Sequence, residues 1–230
     1  WLALFGLVGY ASMTDLGVQV YWLNLLTGAH VRGEIDQYRK TFRAGVFTFL
    51  SMSLLTMIAS LAFSVFEGPT RFLELEIIPP FTASAAFVVL ITSSLLAVLS
   101  QMLRGVYRTV GENPKFIGFG VVRETIIFIC VALALLAHLG PLGISLVYIT
   151  IAVAMIGWVL ISIQSRFSHL ADYRFSQVDK STVFGLVGGG AINLAGLLAT
   201  LLLVQGTLII TKWALGAAAV ALVATSRTLA

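Results

Sequence analysis

The sequence predicts an all-α membrane protein, a polytopic helical bundle, and three observations carry that expectation. Of its 230 residues 59% are hydrophobic and only 10% charged, whereas a water-soluble domain carries about a quarter charged. Uncharged runs of the roughly 20 residues needed to cross a ~30 Å hydrocarbon core recur along the chain. They are continuously apolar rather than alternating, which selects helices over a barrel. Finally, Pro69, Pro79, Pro80, Pro114 and Pro141 all fall between these runs, where a missing backbone donor does no harm.

The runs place span A at about 1–28, B at 44–66, C at 81–103, D at 117–137, E at 143–164, F at 183–211, and G from about 216 onward. "HLGPLG" at 138–143 reads as a tight turn, so D and E form an antiparallel helical hairpin. Charge then orients the seven spans. One set of connections holds Arg32, Arg39, Lys40, Arg43, Arg104, Arg108, Lys115, Arg166, Arg174 and Lys180, and the other set only Arg71 and Lys212. The first set is expected in the cytoplasm of a multi-pass protein of the cell inner membrane. The outer connection 67–80 is acidic instead, with Glu67, Glu74 and Glu76.

Several function classes recede on composition. The net charge of +4 comes from basic residues at span ends, which orientation explains, so no nucleic-acid partner is expected. Cys130 is a lone cysteine, and His30, His138 and His169 are scattered, so no metal site, redox pair or cofactor is expected. No removable signal peptide is visible. Paired acids for general acid/base chemistry are missing and the longest outer connection is short, which disfavours a membrane-embedded glycan polymerase or glycosyltransferase. The chain opens on Trp1 and stops inside an apolar run, so it is expected to be a piece of a longer protein.

Several phrases resemble one family. "TDLGVQVYWLN" followed by "RGEID", "LRGVYRTVGENPKF", "HLGPLGISLVYITIA" and "QGTLIITKWALGAAAVALVATSRTLA" are similar to stretches of the polysaccharide (O-antigen type) flippases. These belong to the multidrug/oligosaccharidyl-lipid/polysaccharide exporter superfamily. The resemblance implies two pseudo-symmetric six-helix lobes in the intact protein, with spans A to G as helices two to eight. Residues 1–166 would form most of the N-terminal lobe, 167–182 the cytoplasmic connection, and 183–230 the start of the C-terminal lobe. One departure is Gln205, which stands where many members carry an acidic residue or Asn and bears against an ion role there.

The resemblance implies an undecaprenyl-diphosphate-linked oligosaccharide as substrate, not an enzyme reaction, with membrane lipids as further partners and proton or sodium coupling open. A cation-coupled multidrug exporter of the same fold is the alternative. Candidate binding or gating residues are the polar groups inside the spans. Asp15 lies 13 residues before Gly28, about 20 Å deep, where a charge costs about 2.5–3.5 kcal/mol. It is a structural polar anchor, a coupling carboxylate, or the partner of a cavity arginine. Thr14, Gln19 and Asn24 extend its polar character, and Gln19 at i+4 shares its face on a continuous helix.

Arg227, about 17 Å into span G, is the candidate arginine. Arg123 is a second, although its long side chain can also snorkel to the headgroups. Gly188, Gly189 and Gly190 in span F are either a tight-packing surface or a hinge for alternating access.

Overall fold

A computed structural model describes residues 2–11, 17–66, 68–73, 79–171, 173, 178–216, 219–220 and 222–223. Every regular element among them is helical: α1 (Leu2–Ala11), α2 (Val18–Val31), α3 (Ile35–Val65), α4 (Gly68–Leu73), α5 (Pro80–Thr109), α6 (Asn113–Leu136), α7 (Pro141–Phe167), α8 (Lys180–Leu201), a π-helical turn (Leu202–Gly206) and α9 (Thr207–Leu215). Four of these, α3, α5, α6 and α7, are long and apolar enough to cross a membrane. Their outward faces are lined by Leu54, Leu55, Ile58, Phe128, Leu136, Val153 and Ile161, all exposed, as lipid contact requires.

Span A differs from the expected single helix. Gly17 takes a left-handed conformation at φ 73° and separates α1 from α2. An L-residue with a Cβ adopts that region only at a cost, and glycine supplies it freely. Spans B and C start earlier or end later than hydropathy suggests, because α3 begins at Ile35 and α5 runs on to Thr109. Arg43 and Arg104 therefore belong to helices rather than to connections, and both are buried.

Helix ends follow their local chemistry. Pro80 and Pro141 open α5 and α7, and Pro114 sits in the first turn of α6, where no intrahelical donor is lost. At the α6–α7 turn His138 is left-handed at φ 55°, and the Leu139 amide donates to the Ala134 carbonyl at 3.0 Å. This closes the D–E hairpin.

Helix α5 is the axis of the bundle, packed most heavily on α7 and also on α1, α2, α3 and α6. Around it are two apolar clusters. One, at the end rich in basic residues, gathers Trp22, Tyr38, Phe42, Met102, Tyr107 and Ile163. The other gathers Leu4, Val8, Phe87, Leu90, Ile91 and Leu95. Lipid tails are as apolar as leucine, so close packing and internal hydrogen bonds hold such helices together. Trp22 is fully buried and its indole N–H donates to the Thr41 carbonyl at 2.8 Å. The Tyr38 hydroxyl meets the Thr109 hydroxyl at 2.8 Å.

The connection after α7 returns under the basic end. Arg39 donates from Nε to the His169 carbonyl at 2.8 Å, and Leu170 and Ala171 are buried. Tyr173 packs edge-on against Phe42, and burial pushes its hydroxyl up to about 12. Helix α8 then packs on α2 and α3. At the opposite end Trp213 stacks edge-on against Phe72 and donates to its carbonyl at 3.4 Å.

Candidate functional site

A cavity of about 270 Å³ lies between α1, α5, α6 and α7, lined among others by Gly9, Ser93, Ser94, Gln101, Arg123 and Tyr148. The sequence offered Arg123 a path to the headgroups. Its side chain, 20% exposed, lines this space. The reason is register: Arg123 lies three residues after Gly120, one turn on along the same face of α6. Gly120 faces α5, because a Cβ there would stand 3.2 Å from a terminal nitrogen of Arg104.

Arg104 is the residue hydropathy missed. It is 6% exposed, and its guanidinium sits 5.7 Å from the centre of the Phe116 ring. Gln101, one turn earlier on α5, reaches the cavity, and the charge of Arg123 acts on Arg104. Arg104 and Gln101 on α5 thus face Gly120 and Arg123 on α6. The signal was present in "QMLRGVYR": Arg104 stands in helical phase with Gln101, inside a pattern that stays apolar beyond it.

Positive charge in this cluster is only partly balanced. Arg123 pairs with the adjacent Glu124 carboxylate, but Glu124 is itself 66% exposed and turned toward the outside. The Nε–H groups of Arg104 and Arg123 are both buried without a hydrogen-bond partner among the described residues. Each guanidinium carries five donors in a fixed fork that fits a phosphate or carboxylate in paired bonds. Serine hydroxyls, a Gln amide and a Tyr hydroxyl complete the polar wall. The arrangement can take up a phosphate-sized anion with its waters. It has no room for an oligosaccharide.

The other candidates are placed elsewhere. Asp15, Thr14 and Arg227 lie outside the described residues. Gly17, at the start of α2, is left-handed; the expected i+4 relation of Gln19 falls on Asp15 and so lies outside the described residues. Gln19 is half-buried and Asn24 exposed on α2, and neither lines the cavity. Gly188 has open space beside it, whereas a Cβ on Gly189 would stand 2.3 Å from the Tyr21 ring, and one on Gly190 2.9 Å from Val18. The last two glycines let α8 lie directly on α2, and α8 runs through them without a break.

At the basic end, between α2 and α3, Arg32 forks onto Glu34 with bonds of 2.9 and 3.0 Å. The Arg32 hydrogen bond holds the Glu34 carboxyl below its ordinary range. Among the described residues no group of three His, Cys, Asp or Glu side chains could hold a metal ion. Fold and site together define an all-α protein with membrane-spanning helices and an interior cationic cavity. Comparison with protein-family models, curated proteins and solved structures finds no match to this chain.

Proposed function

We propose that the chain belongs to a flippase that moves an undecaprenyl-diphosphate-linked oligosaccharide from the cytoplasmic to the outer leaflet for surface polysaccharide synthesis. The observation that carries this reading is the pair Arg104 and Arg123: Arg123 lines the cavity, Arg104 is buried next to Gly120 on the same side of α6, and the Nε–H of each lacks an acceptor among the described residues. A charge inside a span is costly and rare, and its ordinary use is to meet a charged cargo or a pathway. A diphosphate offers the acceptor geometry that two guanidinium forks satisfy. The sugar would travel in a wider space between two lobes, beside the site that holds its diphosphate.

The membrane potential adds a driving force. With a negative interior, outward movement of two uncompensated negative charges is favourable by about 4.6 kcal/mol per 100 mV. The excess of basic residues at one end supports the cytoplasmic orientation this direction needs. Interrupted backbone in two adjacent spans, at Gly17 and at the π-helical turn 202–206, suits a transporter whose halves rock about a central site.

The test is deletion of the full-length gene in its own host, with lipid-linked oligosaccharide quantified on each leaflet and tolerance to cationic drugs measured alongside. Precursor trapped on the cytoplasmic leaflet with unchanged drug tolerance is expected. Normal glycan export with new drug sensitivity refutes the proposal and favours a cation-coupled drug exporter of the same fold.

A further inference from the structure

A second basic site lies on the outside of the bundle, in a groove of about 340 Å³ between α6 and α7 at their basic ends. Lys115 is in the first turn of α6 and Arg166 in the last turn of α7, so the antiparallel pair brings both cations to the groove mouth. Glu112 holds them converged, with its carboxylate 2.7 Å from Lys115 Nζ and 4.0 Å from Arg166. Two cations against one carboxylate leave the mouth positive, and all three side chains are open to solvent.

Moving inward, both helices change character in step. On α7, Arg166, Ser162 and Trp158 follow one another at intervals of four residues on one face. On α6, Lys115 is followed at the same interval by Phe119. Ser162 is hydrogen-bonded to the Tyr107 hydroxyl in the groove floor. Trp158, half-exposed, packs edge-on to Phe119 with ring centres 4.6 Å apart. Charge, hydroxyl and aromatic surface are thus stacked over about 12 Å along the helix axes.

We infer that this groove binds one anionic phospholipid, its phosphate between Lys115 and Arg166 and an acyl chain along Phe119 and Trp158. The gradation matches the cross-section of a lipid, and the mouth's net charge selects an anionic headgroup over a zwitterionic one. A soluble anion would use the mouth alone and leave the aromatic floor without a role. A protein helix would have to bury Lys115 and Arg166, which among the described residues share one carboxylate, that of Glu112.

The probe is phosphatidylglycerol brominated on its acyl chains, added to the full-length protein in neutral detergent, with brominated phosphatidylcholine as the comparison. Bromine quenches tryptophan on contact, and the Trp158→Phe variant identifies the part of the signal that comes from Trp158. Phosphatidylglycerol is expected to quench Trp158 at a far lower mole fraction than phosphatidylcholine. Removing both cations in Lys115→Ala/Arg166→Ala should weaken it about thirtyfold, each cation near an anionic surface being worth about fivefold. The charge-conserving Lys115→Arg/Arg166→Lys variant should retain the preference. Equal quenching by both lipids, a preference that survives the double alanine variant, or full displacement by inorganic phosphate overturns the inference. None of these readouts involves glycan export, so this site stands or falls independently of the cavity around Arg123.

Discussion

Replacing Arg104 by methionine should stabilise the protein while it abolishes export, an unusual combination that tests the anion site directly. The magnitude follows from the structure. A terminal nitrogen of Arg104 sits 3.2 Å from the Cβ position of Gly120, and Arg123 leaves the same helix face about 5–6 Å further along. Two positive charges some 7–8 Å apart repel by at most about 2 kcal/mol at an effective dielectric of about 20, and the Glu124 carboxylate paired with Arg123 offsets part of this. Burying the guanidinium costs several kcal/mol more, and no carboxylate among the described residues contacts it. Against this stands the contact with Phe116, worth about 0.5–2 kcal/mol.

Methionine fills a similar volume with no charge, and such replacements of uncompensated buried ions gain about 1–4 kcal/mol. The Phe116 contact places the expected gain near the lower end, about 1–2 kcal/mol. Thermal unfolding of the full-length protein in neutral detergent reads this as a Tm rise of roughly 3–6 °C. Added diphosphate should raise the Tm of the unaltered protein and leave the variant unmoved. A Tm that falls by several degrees in Arg104→Met refutes the reasoning. Arg104 would then be a structural ion already matched within the folded chain, not a cation waiting for cargo.

Two further outcomes follow from local geometry. Gly189→Ala places a methyl 2.3 Å from the Tyr21 ring, an overpacking that costs about 1–3 kcal/mol. Adding Tyr21→Leu should restore accumulation in membranes, while Gly188→Ala, with open space beside it, should be tolerated alone; equal damage from both glycine variants contradicts the packing role. At the start of α8, Asp179 accepts hydrogen bonds from the Ser181 amide at 3.1 Å and from the hydroxyls of Ser181 and Thr182 at 2.6 and 2.9 Å. The Ser181 hydroxyl above all pulls its carboxyl down to about 2, from an ordinary 3.8. A depressed folded value means the cap is at full strength above the ordinary value and is lost as pH falls toward 2. Amide protection in the first turn of α8, taken relative to the intrinsic exchange rate at each pH, should fall over that range, and Asp179→Asn should remove this pH dependence.

Long apolar runs made spans B to E legible, because a helix is the only open-ended way to satisfy backbone groups in lipid. Their ends were less legible. Hydropathy stops at the first charge, so Arg43 and Arg104 read as connection residues. The helices carry them inward because their aromatic and small neighbours, such as Phe42, Gly45, Gly105 and Tyr107, continue the packing surface. The cavity was half legible. Arg123 was visible as a charge inside a span, but its direction depends on the face it shares with Gly120, which only packing against α5 reveals. The break at Gly17 has no strong signal in the sequence. Glycine is common in membrane helices, and nothing local in "DLGVQ" forces the left-handed turn.

That break changes where bending would occur in the proposed transport cycle. The three consecutive glycines of α8 read as either a packing surface or a hinge; two of them lie against Tyr21 and Val18, and flexing there would pull α8 off α2. Irregular backbone lies instead at Gly17 and at the π-helical turn 202–206; the start of α2 lies beside Gly190, and the turn comes about 18 Å further along the helix axis, beside α1. α1 packs against that turn and against α9, while α2 packs against α8. The α1–α2 and α8–α9 segments are therefore interrupted at different levels, and α2 is anchored on both α3 and α5. A π-turn carries a displaced hydrogen-bond register that shifts without melting the helix, and Gly17 changes conformation at little steric cost. If the halves rock, bending falls at these irregular points, and the glycine run holds α8 to α2 as one piece. The Gly189→Ala and Tyr21→Leu pair separates the two arrangements: rescue of both accumulation and export by the second substitution requires packing, and rescue of accumulation without export requires a hinge at the glycines.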